Sequence, residues 1–266
     1  MRIARYTTGG DPRFGVVTGE LDEHGEVDPD ATVVALAGDP LYVGVQLTEE
    51  QHRLGDVRLL APVLPRSKVV GIGRNYAAHA AELGNDVPDE PLMFLKPNTS
   101  VVGPGDPVFY PPQSSNVHFE GELAVVIGPL GASQLPRERA LEAVFGYTVA
   151  NDVTARDLQR ADGQWTRAKG FDSFCPLGPW IETVLDPADL AVRTEVDGEV
   201  RQDSRTSRLV HDVATLISYV SHVMTLLPND VVLTGTPAGV GPLRAGQTVS
   251  VTVEGIGTLT NPVRSR

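Results

Sequence analysis

The chain has a single cysteine, Cys175, in 266 residues, which excludes an internal disulfide framework and a thiolate-bound zinc cluster and fits a reducing compartment. Within FDSFCPLG that cysteine lies in apolar chain, the setting of an inert buried thiol rather than a nucleophile. Basic residues are scarce. Lys and Arg number 22 against 34 Asp and Glu, a net charge of −12, so a nucleic-acid or anionic-membrane surface is not expected, while a local basic pocket remains compatible. No apolar run approaches the length that crosses a bilayer, and MRIARYTTGG at the start carries no apolar signal core. A soluble, cytoplasmic protein is the expectation. Internal repeats and low-complexity tracts are also missing.

What is abundant is glycine and proline, 27 and 21 residues, which suits strands joined by turns better than a helical bundle. The chain is long enough for a sizeable core. Residues 1–62 read as short strands, MRIARYTT, FGVVTGEL and TVVALAG, and predict a small β-rich N-terminal subdomain. APVLPRSK reads as the linker into a main domain over 63–266, where VVGIG, LMFLKP, ELAVVIG, FGYTVAND, GPWIETV, RTEVDGEV, DVVLTG and TVSVTVEGIGTLTNPV follow as strands. One long helix is predicted in SRLVHDVATLISYVSHVMTLL, with Leu209, Val213, Leu216, Ile217, Val220, Val223, Met224 and Leu227 as its apolar stripe and Pro228 as its end. A second helix of about three turns is predicted in RERALEAVFG, and a short one after Asn75. The fold class is therefore α+β, mainly β with a few helices.

Three carboxylates carry the chemical signal. In HFEGELAVVIG the odd positions Phe119, Leu123, Val125 and Ile127 are apolar, and the strand period places His118, Glu120 and Glu122 on the other face. Asp152 ends the apolar stretch of GYTVANDVTARD. Neighbouring acids repel, so either a hard divalent cation gathers them or they line a solvated strand edge. GIGRNYAAHAAELG invites a dinucleotide-loop reading, but Tyr76 stands where that fingerprint has its third glycine. With Asn75 as helix N-cap and Gly84 as helix stop, His79 and Glu82 share one face, the arrangement of a general base with its orienting carboxylate or of an ordinary surface pair. Lys169 in WTRAKGFDSFCPLG either counters an anionic substrate or is a solvated charge. TGTPAGVGP offers backbone N–H groups and the Thr236 hydroxyl to anions, without the Gly-Lys-Ser/Thr of a nucleotide loop.

Taken together, GIGRNYAAHAAE, PLMFLKPNTSVVGPGDPV, VHFEGELAVVIG, GYTVANDVTARDLQ, QWTRAKGFDSFCPLGPW and DVVLTGTPAGVG resemble the fumarylacetoacetate hydrolase superfamily, in order, from about residue 65 to 263. The resemblance implies a mixed β-sandwich or roll as the C-terminal domain and a homodimer. It implies Mg2+ or Mn2+ on Glu120, Glu122 and Asp152, a water-activating dyad of His79 and Glu82 on a mobile lid, and Lys169 beside the substrate carboxylate or developing enolate. Arg74, Gln159 and Thr236 follow as substrate contacts. The expected activity is hydrolysis of C–C bonds in acylpyruvate-like 2-oxo acids. The alternative is an oxaloacetate-type decarboxylase or a 2-hydroxyhepta-2,4-diene-1,7-dioate isomerase built on the same residues. A catalytically silent binding protein is a third reading, against which the intact His79, Glu82 and Lys169 count.

Overall fold

In the computed structural model, which describes residues 1–266, the strand Gly121–Ile127 buries every one of its residues. Its odd positions, Leu123, Val125 and Ile127, enter the main core with Leu216, Ile217 and Val220 of a helix and Val192, Val251 and Leu259 of a second sheet. Its even positions, Ala124 and Val126, enter another apolar cluster with Val69, Leu177, Val231 and Leu233. A strand covered on both faces needs a continuous apolar run, and LAVVI supplies it.

Hydrogen bonding extends the sheet in both directions. On one side lie Val231–Leu233, Val69–Gly73 and Leu92–Lys96. On the other lie Val144–Asn151, Cys175–Glu182, Arg2–Thr7, Arg13–Val17, Thr32–Leu36 and Leu47–Arg53. The first 60 residues thus continue the central sheet through the pairs Arg2↔Glu182 and Ile3↔Ile181, and Tyr6, Val17 and Val33 enter the main core. A five-stranded sheet, in the order Glu199–Arg205, Ala191–Val196, Thr248–Val253, Gly257–Ser265, Val108–Tyr110, lies across the central strands. The approach is closest at Gly121, where an added Cβ would meet Thr194 Oγ1 at 2.1 Å and Val251 Cγ1 at 2.9 Å. Only glycine fits between the two glutamates. Strands outweigh helices, an α+β fold, and no helix is long and apolar enough to cross a membrane.

Register gathers the functional segments at one end of the sheet. Gly121 pairs with Asn151, so Glu120 and Asp152 leave their strands side by side. Ala124 pairs antiparallel with Leu233, which in turn pairs in parallel with Gly71. The segments that follow Leu233 and Gly73 therefore emerge beside the start of Gly121–Ile127.

Four sequence expectations are corrected. The strand starts at Gly121, so Glu120 precedes it and His118 belongs to a separate two-residue pairing with Thr154; the even face is apolar beyond Glu122 rather than polar. The long helix spans only Val213–Val223, because Asp212 caps it by accepting from Thr215 N–H and Met224 is already extended. Leu209 lies before it, and Val223 and Leu227 are exposed. RERALEA forms a 3-10 helix, Arg137–Ala143, ended by the strand that begins at Val144. Tyr76, not Asn75, precedes the helix Ala77–Glu82. The Asn75 amide is engaged at longer range, donating to His211 O at 3.0 Å and Thr234 O at 2.8 Å and accepting from His211 N at 2.8 Å.

The entry to these strands is fastened by Asp230, which is fully buried. It accepts from Ser67 N and Lys68 N at 3.2 Å, from Ser67 Oγ at 2.7 Å, from Leu227 N at 2.9 Å, and from Lys68 Nζ. Burial pushes its carboxyl up, but these donors, led by Lys68, outweigh burial and hold it below the usual range. Its stabilisation is therefore complete above the ordinary Asp value near about 4 and is lost as pH falls through the lower folded value. Asp230→Asn is expected to cost about 2 kcal/mol at pH 7, with the gap to wild type narrowing below about pH 4 in urea unfolding. A gap independent of pH would contradict this assignment.

Candidate active site

Glu120, Glu122 and Asp152 lie 4%, 1% and 1% exposed, with one carboxylate oxygen from each within 4.8 Å of the others. Ionised groups are buried at a cost of several kcal/mol each unless compensated. Three equally buried cations compensate them. Lys169 bridges two of the acids, with Nζ 2.8 Å from Glu120 Oε2 and hydrogen bonded also to Asp152. Lys96 pairs with Asp152 and Arg156 with Glu120. Phe94 lies beneath Lys169, its ring centroid 4.7 Å from Nζ. Backbone bonds lock the arrangement: Asp152 N donates to Glu120 O at 2.8 Å, and Glu120 N donates to Asn151 Oδ1 at 3.0 Å.

Glu122 differs from its neighbours. No cation touches it, and its partner is the Gly235 N–H at 2.6 Å. Burial and then repulsion from Asp152 and Glu120 push its carboxyl well above the usual range. At Glu120 burial acts the same way, but Arg156 and Lys169 outweigh it and hold the group below its ordinary value. Burial lowers Lys169, and Asp152 and Glu120 more than restore it, so it stays charged. A cluster of three converging acids, one of them compensated by no cation, is the donor set that fits a divalent cation.

A cavity of ≈ 260 Å³ opens above this floor, lined among others by Arg74, His79, Glu120, Glu122, Gln159, Lys169 and Thr236. The structure thus gathers seven of the nine sequence candidates around one space. Asp152 lies beneath it, and Glu82 lies outside, behind His79. His79 is 5% exposed; its Nδ1 is 3.4 Å from Glu82 Oε2 and its Nε2 is 4.0 Å from Glu120 Oε1. Burial lowers the imidazole, leaving it neutral near pH 7. Gly239 N–H holds the Glu82 carboxylate at 3.0 and 3.2 Å. Gln159 Oε1 accepts from Arg156 at 2.9 Å. The Thr236 hydroxyl is bonded within the wall, donating to Gly121 O at 2.9 Å and accepting from Gln202 Nε2 at 2.7 Å.

Sequence reasoning missed Lys96, Arg156 and Arg160. The usable signal was charge balance: three buried acids require cations, and LMFLKP carries one and NDVTARDLQR two, within or beside motifs already singled out. The glycines of GIG, which suggested a nucleotide loop, serve packing instead. A Cβ on Gly71 would sit 2.1 Å from the Phe94 ring.

Comparison with known proteins agrees with this geometry. Residues 68–264 match the fumarylacetoacetate (FAA) hydrolase C-terminal family and residues 1–62 the Rv2993c-like N-terminal family. The chain is 52% identical over 266 residues to Protein Rv2993c of Mycobacterium tuberculosis, covering 99% of this chain and 98% of that one. It is 43% identical to the mitochondrial oxaloacetate tautomerase fahd2 of Xenopus laevis, over 82% of this chain and 72% of that one. Among solved structures, a 5-carboxymethyl-2-hydroxymuconate delta-isomerase from Mycobacterium smegmatis superposes with a TM-score of 0.90 at 52% identity over 100% of both chains. A fumarylpyruvate hydrolase from Pseudomonas aeruginosa, in complex with Mn2+ and pyruvate, superposes with a TM-score of 0.72 at 39% identity over 79% of this chain and 92% of that one. The chain belongs to the fumarylacetoacetate hydrolase family of enzymes.

Proposed function

We propose that the protein is a divalent-metal-dependent enzyme of 2-oxo acids whose central step is proton transfer at the carbon beside the oxo group, a tautomerase or isomerase. The carrying observation is the buried His79 imidazole, its Nε2 4.0 Å from Glu120 Oε1 above the acid cluster and its hold on a proton lowered by burial. The isomerase and tautomerase relatives support the same reading. Glu120, Glu122 and Asp152 would hold Mg2+ or Mn2+, which supplies Lewis acidity and a template for the substrate's carboxylate and oxo oxygens.

This chain's own groups do the rest. The acids and the three cations cancel formally, so metal loading leaves two surplus positive charges, matched by a carboxylate and by the negative charge that gathers on the oxo oxygen as the proton leaves. Lys169, a charged ammonium fixed beside two of the acids, stabilises that developing charge without reorganising. His79 Nε2 accepts the proton, and Glu82, held by the Gly239 N–H, orients the imidazole through Nδ1. The second reading is C–C hydrolysis, with the same pair taking a proton from water; the fumarylpyruvate hydrolase neighbour supports it. A homodimer is part of the proposal: Tyr42, Val43, Val45 and Leu47 are exposed apolar side chains near one another in sequence that a second copy can cover. A monomer in sedimentation at micromolar concentration would contradict it.

Mn2+ or Mg2+ is expected to raise the melting temperature of the wild type. A carboxyl raised in the fold costs stability once pH exceeds its ordinary value near about 4.3, so Glu122→Gln should leave metal-free stability at pH 7 unchanged or higher while abolishing the metal-induced shift. A variant that kept the shift, or that unfolded without metal, would refute this role.

His79→Ala should slow keto–enol interconversion of oxaloacetate, followed by enol absorbance, about 100-fold while preserving the metal-induced shift. Acetylpyruvate cleavage in parallel reads out hydrolysis. Wild-type protein inert in both assays with either metal would reject the proposed function, and unchanged rates in His79→Ala would reject the base.

A further inference from the structure

One polar side chain of the second sheet is buried against the site without entering its cavity. The strand Glu199–Arg205 is an edge of that sheet, and of its seven residues only Gln202 is buried, with no exposed surface. A carboxamide taken out of water costs stability unless its donors and acceptor are met. Gln202 meets them all on segments that flank the acids. Its Oε1 accepts from Gly121 N at 2.9 Å, and its Nε2 donates to Thr236 Oγ1 and to Pro237 O, both at 2.7 Å. The Thr236 hydroxyl closes the ring by donating to Gly121 O at 2.9 Å. The pairing of Gly121–Ile127 with Val231–Leu233 ends at Ala124. Beyond it the Gln202 carboxamide and the Thr236 hydroxyl stand in for the missing strand and satisfy both backbone groups of Gly121.

The loop held in this way has a second attachment. Gly239 N–H holds the Glu82 carboxylate at 3.0 and 3.2 Å, and Glu82 in turn meets His79 Nδ1 at 3.4 Å. The Gly239–Glu82 contact is exposed, so water competes for both partners, and it persists only if the N–H is already fixed. The edge strand fixes it. Gly239 lies so close that an added Cβ would sit 2.0 Å from Arg201 O, and the Gln202 bonds pin the chain just upstream, at Thr236 and Pro237. The helix Ala77–Glu82 has few other anchors. Only His79 and Ala80 of its six residues are buried, and Tyr76, before it, bridges to Leu209. Its far end is located by the Glu82–Gly239 bond.

We infer that Gln202 is a positioning residue of the proposed reaction: by pinning the loop at Thr236 and Pro237 it aims Gly239 N–H at Glu82, and through Glu82 it sets the orientation of the His79 imidazole. It does so without lining the cavity. This rests on the proposed function, in which His79 accepts the proton. The same carboxamide grips Gly121, between Glu120 and Glu122, so the acids and the base are referred to one point of the second sheet. An apolar side chain of similar length would fill the volume but leave Gly121 N–H and Pro237 O without partners and the loop free to shift. A displacement of about 1 Å at a reacting group costs up to about 100-fold in rate.

The test combines kinetics with hydrogen exchange on Gln202→Met. With Mn2+ and oxaloacetate or acetylpyruvate, whichever wild type turns over, kcat should fall at least about tenfold with KM within about twofold, the scale of losing a partner that orients a reacting side chain. In a Glu82→Ala background the same substitution should cost less than about twofold in kcat, because the link it acts through is already gone. In the metal-free protein, amide exchange should rise at Gly239 and in the helix Ala77–Glu82 while residues 123–127 keep wild-type protection. A global loss of packing would instead raise exchange in that strand as well and cost the same rate in both backgrounds, and either result overturns the inference. Thr236→Val, nearly isosteric, removes two bonds of the same ring and keeps the experiment decisive if Gln202→Met fails to fold; it should show the same non-additivity with Glu82→Ala. Equal losses in the two backgrounds, or unchanged exchange at Gly239, overturn the positioning role alone. Wild-type protein inert with both substrates overturns the proposed function and this inference with it.

Discussion

Lys169 between Glu120 and Asp152 is the contact on which the site depends. Three carboxylates converging in a protein interior repel one another and lose their hydration, and either effect alone would exclude them from a core. Lys169, Lys96 and Arg156 reverse that balance at two of the three acids. They leave Glu122 uncompensated except by a backbone N–H. The result is a preformed, buried, nearly neutral cluster with one weak point, which a bound divalent cation would relieve.

The fold serves this cluster through register. Both faces of Gly121–Ile127 are covered, so the strand cannot slip by one residue without exposing one core and burying polar groups in another. Its pairing with Asn151 on one side and with Val231–Leu233 on the other brings three loops to one point. The second sheet crosses so closely at Gly121 that no side chain fits there. The spacing of Glu120 and Glu122 is thus fixed by packing rather than by the acids themselves, which is how a repulsive pair is held in place.

Much of this was legible in the sequence, and the rest failed for identifiable reasons. Strands bounded by Gly and Pro were readable because their apolar runs are continuous. The short helix bearing His79 and Glu82 was readable from its spacing. The alternation that first placed both glutamates on one strand face was mistaken, because Glu120 precedes the strand and Ala124 and Val126 make the even face apolar. Helix ends were misjudged where a local event, the Asp212 cap or the strand at Val144, overrode periodicity. Asn75 was misread as a cap because its partners, His211 and Thr234, are more than a hundred residues away. The compensating cations escaped for the same reason: ion pairing across the fold leaves no local pattern, although the need for it can be inferred from the acids.

The family hosts several reactions, and the geometry explains how one site can do so. On the proposed reading, a histidine base, a fixed ammonium and an acid cluster would serve any reaction that builds negative charge on a 2-oxo acid; what would change is whether the base receives its proton from carbon or from water. The claim common to all of these readings is that Glu120, Glu122 and Asp152 jointly bind one divalent ion. Anomalous diffraction at the manganese edge, from crystals soaked in Mn2+, tests it most directly. The account predicts a single strong peak bonded to all three carboxylates, with Lys169 still beside Glu120 and Asp152. A saturated crystal with no peak between those carboxylates would contradict it.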